Sequence, residues 1–426
     1  MEKMILEILQ KEIKPATGCT EPVAVAYGAA LARALIGEEL KGLKILVNSN
    51  LYKNGMGVFV PGTTKKGLCW AATLGALLGD GSKELEVLEN IPKNSEAIGH
   101  AFLDNHQVTV DFLEKKPEVY VEVKAWGDHN NSRIIIKYSH GNVVLKEKNG
   151  EIVYRKEQKN DDDQSKEFLN EDLNLKVLMK SIQKLTKEEL SFLTPVIEKN
   201  CSIGNKGKAE KLGMGVGYTL TNLMNKQVIG KDVLNEAKAI TAGASDARMS
   251  GVPYTVYSCA GSGNQGLAAS LPVIVMAEDL QVSKERLLQG LALSFMVTIY
   301  VKNKIGRLSP LCGCGIAAGV GSAVAIGEFM DMSFVEIEKG IQNIVGNITG
   351  VICDGAKPGC ALKLSTSVGA VMEMMLLAKE GTSISHNEGI AGESLQKSIE
   401  NLGDISVKGM GNADDLILNI MVAQSL

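Results

Sequence analysis

The sequence is poor in aromatic residues, in histidine and in basic charge. Phe, Trp and Tyr make up 4% of its 426 residues, five histidines are present, and the formal net charge is −4. This slight acidity, with no cluster of Lys and Arg among aromatics, excludes an electrostatic nucleic-acid binder. The histidines stand in isolated contexts, so the sequence predicts neither a histidine triad nor a histidine metal site.

No apolar run is long enough to predict a membrane span. The longest runs, Leu287–Val301 and Cys312–Ile326, are each about 15 residues long, whereas a bilayer needs about 20. The N-terminal stretch is amphipathic and interrupted by acidic residues, unlike a signal peptide. Eight cysteines in 426 residues are too few for a disulfide scaffold. We therefore expect a soluble, cytoplasmic protein without a membrane partner.

Residue patterns divide the chain into four parts. Residues 1–40 predict two helices that pack with a later helical domain, and residues 41–156 predict a compact α+β unit with hairpins. The charged run 157–169 predicts a solvated linker, and residues 170–426 predict only helices, interrupted by glycine-rich breaks. The expected fold class is α+β: a large all-helical catalytic domain beside a smaller α/β sandwich-like domain with a mostly antiparallel sheet.

Local signals predict individual elements. The segment Lys14–Thr20 reads as a turn before a second helix, with Thr20 as its N-cap. Short strands are predicted at Gly57–Val60 and Glu84–Leu88. Capping-box patterns, a Ser or Thr followed three residues later by Glu, occur at Thr186 and Ser333.

Four cysteines stand in two glycine-rich segments of the C-terminal half: Cys312, Cys314, Cys353 and Cys360. Thiolates select Zn, Cu(I) or iron–sulfur clusters. A closed zinc site usually takes C-x2–4-C arms, but only one residue separates the first pair here. That spacing makes it awkward for both thiolates to bind one metal, so we expect three ligands, with Cys312 or Cys314 as one of them. Three cysteines on a 4Fe–4S cluster would leave one iron open as a Lewis acid; unrelated core thiols are the alternative.

Cys19 lies just before the predicted start of the second helix. A helix dipole lowers the pKa of a thiol at its N-terminus, so Cys19 is a candidate base or nucleophile near neutral pH. An inert thiol is the competing interpretation.

Two polar segments are candidates for binding a small zwitterion. The glycine-rich loop 258–266 can form a nest of N–H groups for a carboxylate, and the segment 48–57 places polar residues and a lysine after an apolar strand. Ordinary loops are the alternative for both. The candidate substrate-binding residues are Ser49, Asn50, Lys53, Asn54, Ser262, Gly263, Asn264 and Gln265.

Six motifs occur in an order that resembles the L-cysteine desulfidase family, which is related to the iron–sulfur L-serine dehydratases. They are Pro-Ala-Thr-Gly-Cys-Thr-Glu-Pro, Ser-Asn-x-x-Lys-Asn-Gly, Ser-Asp-Ala-Arg-Met, Gly-Ser-Gly-Asn-Gln-Gly, Gly-Cys-Gly and Cys-Asp-Gly-Ala-Lys-Pro-Gly-Cys-Ala-Leu-Lys. The resemblance covers nearly the whole chain. It implies a 4Fe–4S cluster held by three cysteines and the conversion of L-cysteine to pyruvate, ammonia and hydrogen sulfide. Carried over by residue, it implies Cys314, Cys353 and Cys360 as ligands and Cys19 as the catalytic base.

Three alternatives to this function stay open. An iron–sulfur L-serine dehydratase is the nearest, and a non-enzymatic iron–sulfur redox sensor belongs to a different class. A pyridoxal-phosphate lyase is suggested by Ser-Gly-Asn-Gln-Gly, but the surrounding region is helical and lacks the alternating strands such enzymes need. The expected partners are a small amino-acid substrate and, given the apolar helical domain, a second copy in a homodimer.

Overall fold

The computed structural model describes residues 1–113, 119–156, 169, 174–385 and 388–424. The predicted linker, residues 157–169, lies outside the described residues except for Leu169. The described chain forms a mixed sheet covered by helices and a larger helical region, and each has its own hydrophobic core. The α+β fold class predicted from the sequence is confirmed.

The strands form one six-stranded sheet and one two-stranded ladder. They are β1 Ile13–Thr17, β2 Gly42–Asn48, β3 Gln107–Leu113, β4 Tyr120–Trp126, β5 Asn131–Lys137, β6 Val143–Lys148, β7 Glu151–Arg155 and β8 Thr255–Cys259. The large sheet has the order β3-β2-β4-β5-β6-β7. Its β2–β3 pair is parallel and its other described pairs are antiparallel, as the hairpin pattern predicts.

The helices follow the apolar periodicity of the sequence. They are α1 Glu2–Glu12, α2 Thr20–Ile36, α3 Ser49–Gly55, α4 Leu68–Leu78, α5 Ser95–Leu103, α6 Leu175–Ile182, α7 Thr194–Ala209, α8 Val216–Asn225, α9 Val233–Met249, α10 Gly263–Asp279, α11 Lys284–Ile305, α12 Ala317–Phe329, α13 Phe334–Ile348, α14 Cys360–Lys379, α15 Leu395–Asp404 and α16 Ala413–Ala423.

The N-terminal segment 1–40 divides between the two cores. Ile5, Ile8 and Leu9 of α1 are buried in the helical core, as expected. Helix α2 instead packs on the sheet, where its small residues join the second core. Its composition explains this, because a helix rich in alanine permits close contact: a Cβ placed on Gly75 of α4 would lie 2.3 Å from the carbonyl oxygen of Ala26.

The ladder between β1 and β8 joins the N-terminus to the helical region. It is antiparallel and pairs Ile13 with Cys259 and Thr17 with Thr255. The prediction of a turn at residues 14–20 and of helices alone after residue 170 was therefore wrong at these two short segments. Five-residue strands give too little alternation to detect, and the pairing joins residues far apart in sequence. The ladder places the start of β1 beside the glycine-rich loop that follows β8, and Thr20, after the Cys19 turn, donates its hydroxyl to the carbonyl oxygen of Gly261 in that loop at 2.8 Å.

Two other predicted strands are absent from the described structure. Residues 81–86 form a 3-10 helix that continues into turns, and 57–60 contributes only an isolated bridge through Phe59. The capping box at Ser333 is confirmed, with reciprocal bonds to Glu336. Thr186 and Glu189 exchange the same kind of bonds.

One helix of the described chain has the length and hydropathy to cross a membrane, namely α14. It packs Leu364, Val371 and Met375 into the helical core. A core helix of a globular domain passes the same test, and the contacts of α14 are of that kind.

Candidate active site

Two glycine-rich loops carry the four clustered cysteines and lie side by side. The backbone N–H of Cys312 donates to the carbonyl oxygen of Val351 at 2.8 Å, and that of Cys353 donates to Pro310 at 2.7 Å. A β-bridge also links the two loops. Segments distant in sequence are therefore held in a fixed register.

The four thiols share one buried neighbourhood. The hydrogen bond between the side chains of Cys312 and Cys314 lowers the pKa of Cys312 to about 6 and raises that of Cys314. Burial, followed by the charge of Cys312, raises the pKa of Cys360 to about 12, and burial raises that of Cys353. Because neighbouring thiolates repel one another, all four ionise together only when a positively charged group shares the site.

Helix N-termini add partial positive charge around the thiols. Cys360 is the first residue of α14, and the loop of Cys312 and Cys314 leads into α12. Ser262, the N-cap of α10, has its Oγ 3.6 Å from the Sγ of Cys314. Since helix N-termini stabilise anions, this arrangement favours thiolates and the anionic group that they would hold.

The thiol geometry does not suit a single metal ion. Within the described ranges, no three side chains of His, Cys, Asp or Glu converge closely enough to hold one ion. An iron–sulfur cluster differs because each thiolate binds a separate iron, so its cysteines surround a larger group. The soft donors, their burial and the helix N-termini fit such a cluster.

Glycine is required at two positions of the cysteine loops. A Cβ on Gly313 would lie 2.5 Å from Oε1 of Gln265 and 3.0 Å from Nζ of Lys302. Gly355 has a φ of +87°, and a Cβ there would lie 2.7 Å from the carbonyl oxygen of Lys53. The loops therefore approach α3, α10 and α11 more closely than other residues would permit.

Cys19 lies at the N-cap of α2, one residue before the predicted cap. Its thiol donates a hydrogen bond to Oε2 of Glu21 at 3.0 Å. Burial, reinforced by the charge of Glu21, raises the pKa of Cys19 well above its ordinary value. This is the opposite of the shift expected from the helix dipole, because burial and the neighbouring carboxylate both disfavour the thiolate.

Glu21 is a buried carboxylate that remains ionised. Burial raises its pKa, but the charge of His140, the bond from Cys19 and the charge of Arg248 outweigh burial, so the net shift is downward. Nδ2 of Asn54 donates to Oε1 of Glu21 at 3.1 Å. Sequence reasoning gave this residue only the role of an acidic group in the first helical turn.

His140 was missed by sequence reasoning because it stands alone in a hairpin loop. It is 5% exposed, and burial lowers its pKa, although the charge of Glu21 opposes that shift. Its Nε2 has no hydrogen-bond partner among the described residues, and the same is true of Oδ1 of Asn54. Unpaired buried polar atoms are costly, so both mark places where a bound molecule can complete the bonding.

These groups surround a cavity of about 70 Å³ between the sheet unit and the helical region. Space for a few water-sized groups suits a small molecule. The lining residues are Glu21, Asn50, Lys53, Asn54, Val119, His140, Ala260, Gly261, Ser262, Gln265, Lys302, Arg307, Leu308, Ser309, Leu311, Gly313, Cys314 and Cys353.

The structure brings some predicted residues to the cavity and places others behind it. Asn50, Lys53, Asn54, Ser262 and Gln265 line it, whereas Ser49, Gly263 and Asn264 do not. The Asn264 side chain instead accepts from the guanidinium of Arg248 at 3.0 Å, and Arg248 also donates to the carbonyl oxygen of Gly18. That chain of bonds fixes the Cys19 turn against α9 and α10.

The ammonium group of Lys53 is hydrogen-bonded to other groups of the protein. It is 1% exposed and donates to a carboxylate oxygen of Asp414 at 2.5 Å and to the carbonyl oxygen of Cys353 at 3.1 Å. Lys53 therefore ties α3 to the second cysteine loop and to α16.

Lys302 is a second cation of the site that the sequence left undetected. It follows directly on the apolar run of α11, is 6% exposed and donates to Ser309. Burial lowers its pKa, while Cys353, Cys314 and Cys312 oppose that shift. A lone lysine at the end of an apolar helical run was the signal available in the sequence.

Comparison with known proteins identifies the family of the chain. The family model described as serine dehydratase alpha chain matches residues 82–419. A UPF0597 protein of Clostridioides difficile (strain 630) is 40% identical over 420 residues, covering 98% of each chain. A UPF0597 protein of Clostridium tetani is 40% identical over 427 residues, covering 99% of this chain and 98% of the relative. The chain therefore belongs to the iron–sulfur serine dehydratase-like family.

Proposed function

We propose that this protein is an L-cysteine desulfidase that eliminates hydrogen sulfide from L-cysteine at a 4Fe–4S cluster. One observation carries the proposal: two of the four clustered thiols, Cys314 and Cys353, line one small cavity together with the Glu21 carboxylate and with two buried polar atoms that have no partner among the described residues. The family match supports a lyase acting on a small β-substituted amino acid. The choice of cysteine rests on Cys19 in the Pro-Ala-Thr-Gly-Cys-Thr-Glu-Pro motif.

Cys314, Cys353 and Cys360 are the residues that would hold the cluster. When bound, its open iron would supply a Lewis acid for the leaving sulfur. The helix N-termini and Lys302 would offset the negative charge of the thiolates. A cluster with thiolate ligands also suits the reducing cytoplasm, which we propose as the location.

The remaining cavity residues would bind and orient the substrate. The α-carboxylate would face Gly261 and the Ser262 hydroxyl at the N-terminus of α10, where the helix dipole favours an anion. The Ser262 N–H itself donates to the carbonyl oxygen of Cys259 at 3.1 Å. The substrate ammonium would donate to the unpartnered Oδ1 of Asn54. Binding the carboxylate and the ammonium in this way would turn the α-C–H towards the Cys19–Glu21 pair. Such positioning of reacting groups increases the reaction rate.

The Cys19–Glu21 pair would remove the α-proton from the substrate. Removing that proton sends the C–H electron pair into a Cα–Cβ double bond and expels the sulfur with its bonding pair. The aminoacrylate released would tautomerise and hydrolyse in water to pyruvate and ammonia. Val119, Leu308 and Leu311 on the cavity wall limit access of water during elimination.

L-Serine dehydration is the second candidate, favoured by the name of the matching family model. It needs the same α-proton removal and positioning, with a hydroxyl as leaving group. The two functions therefore differ in one measurable ratio, the kcat/KM for L-cysteine relative to L-serine.

We expect anaerobically reconstituted protein to release equal amounts of sulfide and pyruvate from L-cysteine, with kcat/KM at least about 10-fold above that for L-serine. Sulfide and pyruvate are measured in the same samples, and the visible spectrum distinguishes a broad cluster band from a pyridoxal peak. Faster pyruvate formation from L-serine would make the protein a serine dehydratase. A reconstituted cluster with no turnover of either amino acid would favour the redox sensor.

A further inference from the structure

We propose that Nε2 of His140 donates a hydrogen bond to the α-carboxylate of the amino-acid substrate, so that the sheet unit takes part in substrate recognition. This role rests on the proposed β-elimination and adds a substrate-binding residue to it.

His140 presents an unsatisfied polar atom to the cavity. Its side chain lines the cavity and is 5% exposed. Among the described residues, its Nε2 has no hydrogen-bond partner, although the charge of the Glu21 carboxylate acts on the ring. A polar atom that is buried without a partner destabilises the fold. Nε2 is therefore a position where a bound molecule supplies the missing hydrogen bond.

The loop between β5 and β6 is bent at the residues that lead to His140. The pairing of these strands shifts register between Ile135 and Ile136, and Tyr138 has a φ of +73°, which aromatic residues rarely adopt. The N–H of Tyr138 donates at 3.0 Å to the carbonyl oxygen of Val119, which also lines the cavity. Bulges and strained backbone are concentrated at functional sites, where they redirect side chains. We infer that this bend places the His140 ring at the cavity.

Gly261 determines which part of the substrate the ring can reach. A Cβ on Gly261 would lie 3.1 Å from Nδ1 and 3.2 Å from Cε1 of His140, so the imidazole packs directly on the loop before α10. Helix α10 is 17 residues long, and the dipole at its N-terminus favours an anion. The carboxylate that faces Gly261 therefore also lies beside His140.

Charge and hydrogen-bonding capacity assign the carboxylate, rather than the ammonium, to His140. Oδ1 of Asn54 and the Glu21 carboxylate supply acceptors for the ammonium. Arg307 also lines the cavity, and its positive charge acts on the His140 ring. Nε2 carries a proton in one neutral tautomer of histidine and in the charged form, so it can donate. A hydrogen bond to a carboxylate is stronger than one between neutral groups.

Two inhibitors that each lack one group of the substrate test the assignment. 3-Mercaptopropionate keeps the thiol and the carboxylate, whereas cysteamine keeps the thiol and the amine. His140→Phe keeps a ring and removes Nε2. We expect its Ki for 3-mercaptopropionate to rise about 10- to 100-fold, the range for loss of a hydrogen bond to a charged group, and its Ki for cysteamine to stay within about 2-fold of wild type.

The kinetics of L-cysteine turnover give a second readout for the same variant. The carboxylate is bound equally in the substrate complex and in the transition state. Loss of such a contact raises KM and leaves kcat nearly unchanged. We therefore expect the KM of His140→Phe for L-cysteine to rise together with its Ki for 3-mercaptopropionate.

Further variants separate a lost hydrogen bond from a disturbed fold. His140→Gln restores an N–H donor and should recover most of the affinity for 3-mercaptopropionate. His140→Asn is too short to place a donor at the position of Nε2 and should behave like His140→Phe. His129→Phe, in the exposed loop between β4 and β5, is the matched control and should leave both Ki values unchanged. Iron content is measured for each variant to confirm that the cluster is present.

Three results would contradict the role of His140. An unchanged Ki for 3-mercaptopropionate in both His140→Phe and His140→Asn would show that Nε2 does not bind the carboxylate. Equal losses of affinity for the two inhibitors would show a structural role. A larger loss for cysteamine would show that Nε2 accepts a hydrogen bond from the ammonium instead.

The wild-type protein distinguishes failure of this assignment from failure of the proposed function. If wild type turns over L-serine but not L-cysteine, the desulfidase proposal fails, and His140 is tested with 3-hydroxypropionate and ethanolamine. If wild type turns over L-cysteine and any of the three results above is obtained, the role of His140 alone fails. Wild-type protein that neither binds nor turns over these amino acids would contradict both proposals.

Discussion

Alanine at Cys353 or at Cys360 is expected to abolish cluster binding and turnover together. Each thiolate would bind its own iron, and the loss of one of three ligands leaves an iron without a protein donor. Replacing a residue that only hydrogen-bonds to a metal ligand typically lowers metal affinity about 10- to 100-fold. Replacing a ligand itself should therefore lower iron content and turnover by more than about 100-fold. Iron and acid-labile sulfide per chain are measured after anaerobic reconstitution, beside kcat with L-cysteine.

Cys201→Ala is the matched control for this experiment. Cys201 lies on α7, and burial raises its pKa to about 11, as expected of an inert thiol. It should keep the iron and sulfide content of wild type. Full iron and sulfide in the Cys353 or Cys360 variant would show that this thiol is not a ligand.

Alanine at Cys314 is expected to have the same effect, whereas alanine at Cys312 should leave most of the cluster in place. Cys314 lines the cavity, and its Sγ lies 3.6 Å from the Oγ of Ser262. Cys312 is buried, is not part of the cavity lining and is hydrogen-bonded to Cys314. The thiol that faces the cavity is the one that can share a cluster with a substrate. Both variants remove one thiol from the same loop, so each controls for the other.

The measurement is the iron content and visible absorbance of the two variants, prepared side by side. Loss of the cluster in Cys312→Ala with retention in Cys314→Ala would reverse the assignment. Loss in both would mean that the pair acts as a unit.

Periodicity and turn residues predicted much of the fold. The alternation between residues 119 and 154 correctly predicted an antiparallel meander, because one face of each strand is buried and the residues repeat every two positions. The antiparallel prediction for the strand that begins at Gln107 was wrong, because β3 pairs in parallel with β2. The prediction failed where pairing is short and distant. The β1–β8 ladder, which positions the Cys19 turn, depends on residues more than 230 apart in sequence.

The predicted site segments that the structure brings together are those with a local motif. The paired cysteine segments and the loop around Ser262 stand out by composition alone, and the structure brings them into contact. Glu21, His140 and Lys302 are ordinary residues in their own segments. Their significance comes from burial beside one another, which the linear sequence does not display. The predicted direction of the Cys19 pKa shift was wrong for the same reason, because burial and the carboxylate of Glu21 raise that pKa.

Mössbauer spectroscopy of protein reconstituted with 57Fe, recorded with and without L-cysteine, tests the central claim most directly. We predict about four irons per chain in one cluster, with a single iron whose signal changes when L-cysteine is added, as expected for three thiolate ligands and one open position. A cluster whose four irons are all unaffected by L-cysteine, or protein that binds no cluster, would contradict it.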